Sequence, residues 1–233
     1  MQFASRAWTV RAEEEHHSAA VFAESLSHLV DADVPLDVLG HLSRIVGDEI
    51  EHAILCGDMA RRMRTAIPCS RPLARPRIAA GVAARRAHGL GILLVSGAIG
   101  ESISNALFHA GYRDTEERCA KAALKRIVRD EVLHARAFWE ALDALRGSLT
   151  AAEHEALHPM ARRALGPLEQ RIALPALQRL ERADAFEPAW AALGVLAPEA
   201  RVEAFYRAIE GVSCRKLEEL ALDGQLARHA RYP

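Results

Sequence analysis

The sequence lacks the features that mark several large classes of protein. Its 233 residues carry a formal net charge of −1, and acidic and basic residues are interspersed rather than blocked. Because binding to nucleic acid or to a charged membrane surface needs a basic patch, neither partner is expected. Aromatic residues make up only 5% of the chain, whereas alanine, the strongest helix former, is abundant. This composition favours helices over sheets.

Cysteines and long apolar runs are also scarce. The four cysteines are widely spaced, without a Cys-x-x-Cys pair, which argues against a rubredoxin-type or zinc-ribbon module and for reduced thiols. The first ten residues have no apolar stretch of the kind that a secretory signal needs. The longest apolar run, from Gly89 to Gly100, stops at Glu101 and is too short to span a bilayer. We therefore expect a cytoplasmic protein.

Apolar residues recur at helical spacing, and no run alternates as a strand would. The pattern predicts four long helices, over about 7–29, 35–64, 78–110 and 115–147. A short turn at Asp31-Ala32-Asp33 joins helices one and two, and Asp114-Thr115 is predicted to cap the start of helix four after a second short turn. Prolines between Pro68 and Pro76 interrupt the longer connection between helices two and three. The sequence thus predicts an all-α four-helix bundle over residues 1–147, with a long crossover between helices two and three.

The pattern weakens after Gly147. Shorter helices are predicted over 150–165, 168–181 and 198–222, separated by Gly166-Pro167 and by residues 183–188. We expect residues 148–233 to form a helical extension packed on the bundle, within the same domain.

Two copies of Asp-Glu-x-x-His stand out. Asp48, Glu49 and His52 belong to helix two, and Asp130, Glu131 and His134 belong to helix four. Residues three apart share a helix face, so the Glu and His of each copy can bind at one metal site. Carboxylates supply hard oxygen ligands, and imidazole suits iron, zinc, copper or manganese.

Spacing alone is weak evidence, because Glu-x-x-His also occurs at Glu13/His16, Glu14/His17 and Glu155/His158. In the two favoured copies, however, the pair interrupts an apolar stripe that faces the core. Those stripes contain Leu42, Ile45, Cys56 and Met59 on helix two, and Leu124, Ile127, Phe138 and Ala141 on helix four. Buried Glu and His need partners or a metal. A purely structural network of buried polar groups is the alternative.

The aspartate before each Glu has a role of its own. A metal-binding histidine usually donates its second ring N–H to a carboxylate. In an antiparallel pair of helices, Asp48 reaches His134 and Asp130 reaches His52. The alternative is two exposed aspartates at unrelated positions.

Helices one and three supply the remaining donors. Glu101 is a solitary charge among small and apolar residues, and Glu15 follows the core spacing of helix one better than Glu14, which remains an alternative. Glu15 and Glu49 are 34 positions apart, and Glu101 and Glu131 are 30 apart. Each interval carries the chain about 20 Å up one helix and back, to the middle of the bundle.

These residues resemble the ferritin-like diiron-carboxylate proteins, whose four helices carry Glu, Asp-Glu-x-x-His, Glu and Asp-Glu-x-x-His. The segment from Glu15 to Ser18 also looks like the Glu-His-Ala-Ser opening of small bacterial ferritin-like proteins. The resemblance covers about Ala7 to Arg146. It implies a ferritin-like bundle with two iron ions (Fe2+/Fe3+), manganese being an alternative or mixed metal. It also implies these ligand roles: Glu15 and Glu101 terminal, Glu49 and Glu131 bridging, His52 and His134 one on each ion.

Departures from the family patterns argue against several known groups of diiron-carboxylate proteins. Glu51 and Leu133 stand where many diiron monooxygenases have arginine before the histidines. Ile127 replaces the extra histidine of aminoarene N-oxygenases, and Ala19 stands where a tyrosine that stores a radical would be. The absence of cysteine pairs argues against a standard rubrerythrin.

Two functions fit this resemblance. The first is an O2-dependent diiron oxidase or oxygenase that acts on a small organic substrate, with electrons from a donor protein or from the substrate, in a homodimer. Glu101 and Asn105 are the expected catalytic residues; small neighbours such as Gly97 and Gly100 either leave room for substrate or allow close packing. The alternative is a ferroxidase or iron-storage protein, against which the long extension argues. We expect surface or capping roles for the remaining histidines, including His28, His41, His88 and His109.

Overall fold

The computed structural model describes residues 1–30, 34–63, 82–222 and 224, and these residues form helices without a strand. In chain order the helices are α1 Gln2–Leu29, α2 Leu36–Arg62, α3 Val82–Ile92, α4 Glu101–Asp114, α5 Arg118–Arg146, α6 Ala151–Ile172, α7 Leu174–Glu181, α8 Pro188–Ala192, α9 Pro198–Ala208 and α10 Cys214–Glu219. π-helical segments Leu93–Gly100 and Ile209–Ser213 join α3 to α4 and α9 to α10. The predicted all-α class is confirmed.

Hydrogen bonds between helices show how α2 and α3 pack on α1. Ser5, at the start of α1, donates a hydrogen bond to the Ala60 carbonyl near the end of α2 (3.0 Å). Ser25, near the end of α1, donates to the Gly89 carbonyl in α3 (3.3 Å). Helix α2 therefore runs antiparallel to α1, and α3 packs against the last turns of α1. The predicted turn at 31–33 and the proline-rich crossover at 64–81 lie outside the described residues.

Several predicted boundaries are wrong by a few residues. Helix one begins at Gln2 rather than near residue 7, and the third long helix passes through Gly111 to end at Asp114. The cap of α5 is Glu117, whose carboxylate accepts a hydrogen bond from the backbone N–H of Ala120 (2.6 Å), and not Asp114-Thr115. These bonds to backbone N–H groups lower the pKa of Glu117, which stabilises its ionised form at the helix start.

The extension also differs from its prediction. Gly166-Pro167 does not separate two helices, because α6 is continuous from Ala151 to Ile172. A capping box between Thr150 and Glu153 fixes its start, and its apolar face is buried in the core. This packing outweighs the loss of backbone hydrogen bonds at the prolines. Helix α8, at Pro188–Ala192, was not predicted.

One hydrophobic core joins the four-helix region to the extension. Phe22 and Phe138 of the bundle belong to the same cluster of buried side chains as Leu157, Phe205 and Leu217. Both parts of the chain therefore contribute to one cluster of buried side chains, and the division into a bundle and an extension at residue 147 stays a prediction. No disulfide joins the described cysteines, Cys56, Cys119 and Cys214, and Cys69 lies outside the described residues.

The continuous helical segment formed by α3, the first π-helical segment and α4 is more apolar than the sequence predicted. By length and composition, Ala84–Asp114 could cross a membrane, with a mean hydropathy of 1.4 over its most apolar window. Half of that window is buried against other helices, as it would be in the core helix of a bundle.

Candidate metal centre

Four elements of the bundle bring acidic and imidazole side chains to one interior point. Helices α2 and α5 each contribute a Glu and a His three positions apart, which share the inner face of the helix. Helices α1 and α4 each contribute one Glu. The six residues are each at most 5% exposed, and we call them the central cluster: Glu15, Glu49, His52, Glu101, Glu131 and His134. The structure thus brings together all six residues that the apolar stripes selected.

Three carboxylates of the central cluster surround the Nδ1 atom of His52. That nitrogen lies 3.3 Å from Oε2 of Glu15, 3.4 Å from Oε1 of Glu131 and 4.0 Å from Oε1 of Glu49. One donor atom from each of these four residues lies within 4.8 Å of the other three. The four donors converge closely enough to hold one metal ion.

A second, overlapping set of donors surrounds the Nδ1 atom of His134. It lies 3.0 Å from Oε1 of Glu49, 3.7 Å from Oε2 of Glu101 and 3.9 Å from Oε1 of Glu131. These donors also lie within 4.8 Å of one another. Glu49 and Glu131 belong to both donor sets, whereas each set has its own histidine and its own third carboxylate. This sharing is what a site for two neighbouring ions requires.

Many donor atoms of the central cluster form no hydrogen bond with the described residues. They are Oε1 of Glu49, Oε2 of Glu101, both carboxylate oxygens of Glu131, and Nδ1 of His52 and of His134. A buried polar atom without a partner costs about 1–3 kcal/mol. Metal ions held by carboxylates and imidazoles would satisfy these atoms together. The cluster is therefore compatible with a dinuclear metal site.

The ionisation of the metal-free cluster reflects the crowding of like charges. Burial raises the pKa of Glu49 to about 10, with a further contribution from the Glu101 carboxylate, and it also raises the pKa of Glu15. Burial lowers the pKa of His52, but the carboxylates of Glu131 and Glu15 outweigh it and raise that pKa to about 11. Without metal, protons therefore neutralise the repulsion among the carboxylates.

Two aspartates orient the histidines from outside the central cluster. Nε2 of His52 lies 3.3 Å from Oδ2 of Asp130, and Nε2 of His134 lies 3.2 Å from Oδ2 of Asp48. These are the crossed contacts that the sequence predicts. A proton on each Nε2 leaves Nδ1, which faces the cluster, with a free electron pair for a metal.

Arg126 is a positioning residue that the sequence reasoning missed. Its Nη1 atom donates to the Asp130 carboxylate at 2.6 Å, and its Nη2 atom donates to Oε2 of Glu51 at 2.9 Å. Nη2 also lies 3.9 Å from Oδ1 of Asp48. One guanidinium thus links both aspartates that face the histidines. Its position four residues before Asp130 was the available signal.

The π-helical segment sets the position of Glu101. Such segments are rare and occur often at functional sites, and this one ends directly before Glu101. Within it, an added Cβ at Gly97 would overlap the ring of Phe138, whereas Gly100 meets only the Val95 carbonyl, at 3.4 Å. Of the two roles expected for the glycines, close packing therefore applies to Gly97.

Asn105 lies beside a surface pocket. Its Oδ1 atom is buried without a hydrogen-bond partner among the described residues. Asn105 lines an open surface pocket of about 500 Å3 together with Ser102, Ala135 and charged residues such as Arg136 and Glu140, and no residue of the central cluster lines this pocket. Its catalytic role stays a prediction.

The other Glu-x-x-His pairs do not join the central cluster. Glu14, the alternative donor on α1, is exposed, as are His16 and His17. Glu155 and His158 approach His154 on α6 as a separate group that is not buried. Burial therefore separates the two central pairs from the other three, as the stripes indicated.

Comparisons with models of known protein families, with curated proteins and with solved structures find no match for this chain. The chemistry and geometry of the central cluster are therefore the basis on which we infer a function.

Proposed function

We propose that this protein is a non-haem diiron oxidase or oxygenase of the ferritin-like type, which uses O2 to oxidise a small organic substrate. One observation carries the proposal: two four-residue donor sets, each with one histidine, share Glu49 and Glu131. A single-ion site would need only one of these sets. Carboxylate-rich sites with one imidazole per ion suit iron or manganese.

The protein's own groups have distinct roles in this proposal. Glu49 and Glu131 would hold both ions, Glu15 would complete the donor set of His52, and Glu101 would complete that of His134. Asp130 and Asp48 keep the Nδ1 atoms of the histidines available for metal. Burial excludes bulk water, which limits the loss of oxidising equivalents to solvent.

Two irons held in this way would supply the redox chemistry of O2 reduction. In a hydroxylation, the substrate and an electron-donor protein would each supply two electrons. One oxygen atom would enter the C–H bond of the substrate, and the other would leave as water with two protons taken up from solvent. The long helical extension after residue 147 favours the oxygenase over iron storage, because such a segment would have to fit inside or outside a storage shell.

Iron loading tests this proposal. The protein is loaded with Fe2+ without oxygen, its iron is counted, and its assembly size is measured before and after exposure to O2. Two irons per chain in a small oligomer, with O2 consumption sustained by an added reductant, would support the oxygenase. A large hollow shell that accumulates many irons per chain would support storage and overturn it.

Matched variants test the ligand set. Glu131→Ala should lose iron, whereas Glu140→Ala, at an exposed position on the same helix, should retain two ions per chain. Full retention of iron in both Glu49→Ala and Glu131→Ala would remove the basis of the proposal.

A further inference from the structure

A second group of potential ligands lies where the end of α1 packs against α3. It consists of Glu24 and His28, four positions apart on α1, and His88 on α3, and we call it the helix-end triad. Glu24 is nine residues beyond Glu15, or about 13 Å along the helix. The triad is therefore separate from the central cluster.

The surroundings of His28 point to a ligand at this triad. The sequence predicts a surface or capping role for it, but its side chain is 0% exposed. Neither ring nitrogen forms a hydrogen bond with the described residues. A buried imidazole has at least one donor and one acceptor to satisfy, so this arrangement is costly without a further partner.

The packing of α3 on α1 holds His88 beside His28. The hydrogen bond from Ser25 to the Gly89 carbonyl joins the two helices. An added Cβ at Gly89 would lie 2.7 Å from the Leu29 side chain, so glycine permits this close approach. As a result, the rings of His28 and His88 stand edge to face, with centroids 4.7 Å apart.

The donor atoms converge on one oxygen. Oε1 of Glu24 lies 3.1 Å from Nε2 of His88 and 3.6 Å from Nε2 of His28. Ligands of a tetrahedral zinc ion stand about 3.4 Å apart, given bonds of about 2.1 Å. The His88 side chain is 47% exposed, so it has room to adjust and solvent can reach a fourth position.

We propose that Glu24, His28 and His88 bind one divalent transition-metal ion of the zinc class, at a site separate from the central cluster. Two imidazoles and one carboxylate are a suitable set for Zn2+, with water as the fourth ligand. The site accounts for the burial of an imidazole that forms no hydrogen bond with the residues that the structure describes. It does not depend on the proposed oxygenase activity.

Zinc counting tests the site. Metal-free protein is equilibrated with Zn2+, dialysed and assayed for zinc per chain. His88→Ala should bind one fewer zinc than the unaltered chain, whatever the central cluster holds. His41→Ala, at another exposed histidine, is the matched control and should bind the full number. If the central cluster binds no metal, the same variants should still differ by one ion.

A second variant distinguishes a metal site from a simple hydrogen-bonded Glu–His group. Glu24→Gln keeps the size of the side chain but removes its charge, and it should weaken zinc binding at this site at least tenfold. Because Glu24 and His88 are partly exposed, both variants should keep the helical content of the parent by circular dichroism. Equal zinc content in the parent and in folded His88→Ala, or unchanged affinity in Glu24→Gln, would overturn the proposal.

Discussion

The Nε2 atom of His52 on α2 lies 3.3 Å from Oδ2 of Asp130 on α5. The reciprocal contact, from His134 to Asp48, is 3.2 Å, so the two Asp-Glu-x-x-His segments orient each other's histidines. The two aspartates are not equivalent, however. The Asp130 side chain is 6% exposed and bonded to Arg126, whereas that of Asp48 is 35% exposed.

This difference predicts unequal effects of removing each carboxylate. Asp130→Asn should weaken metal binding by about 10–100-fold, because it replaces the buried, charged acceptor of the His52 N–H by a neutral amide and removes the charge that pairs with Arg126. Asp48→Asn should have a smaller effect, since water can replace the more exposed carboxylate. Titration calorimetry with Mn2+ or anaerobic Fe2+ measures both. Glu51→Gln, which alters another partner of Arg126 at an exposed position, is the control and should leave affinity unchanged. Equal affinities for all three variants would contradict the orienting role.

Adjacent glutamates on α1 offer a second test. Glu15 is buried and lies 3.3 Å from the Nδ1 atom of His52, whereas Glu14 is exposed. Glu15→Gln should weaken or abolish binding of one of the two ions, because a neutral amide is a poor ligand for a divalent cation. Glu14→Gln should bind two ions with parental affinity. Metal analysis after dialysis separates the outcomes, and the reverse order would identify Glu14 as the ligand.

The position of Glu15 could be predicted because periodicity decides burial on a long, regular helix. Helical periodicity also distinguished the two central Glu-x-x-His pairs from the other three. It failed where contacts between distant segments decide the structure. His28 is buried because α3 crosses α1 closely at Gly89, and α6 continues through Pro167 because its apolar face is packed in the core.

Proton release should accompany metal binding. In the metal-free cluster the pKa of Glu49 is raised to about 10 and that of His52 to about 11, so both groups hold protons at pH 7. A metal must displace these protons, so binding should strengthen as pH rises from 6 to 8, by about tenfold per pH unit for each proton released. Calorimetry in buffers of different ionisation enthalpy counts the protons. Glu49→Gln should release fewer, and pH-independent affinity of the parent would contradict the prediction.

Close packing at Gly97 makes a prediction about stability. An added Cβ there would overlap the Phe138 ring, which lies one turn beyond His134, so Gly97→Ala should destabilise the fold by about 1–3 kcal/mol. Gly47 lies on α2 with no atom within 4 Å of an added Cβ. Gly47→Ala should therefore stabilise by about 0.5–1 kcal/mol, through helix propensity alone. Urea unfolding with a chelator present measures both changes without a contribution from bound metal. If Gly97→Ala is as stable as the parent, the space at this glycine is open, and its alternative role in admitting substrate becomes the better interpretation.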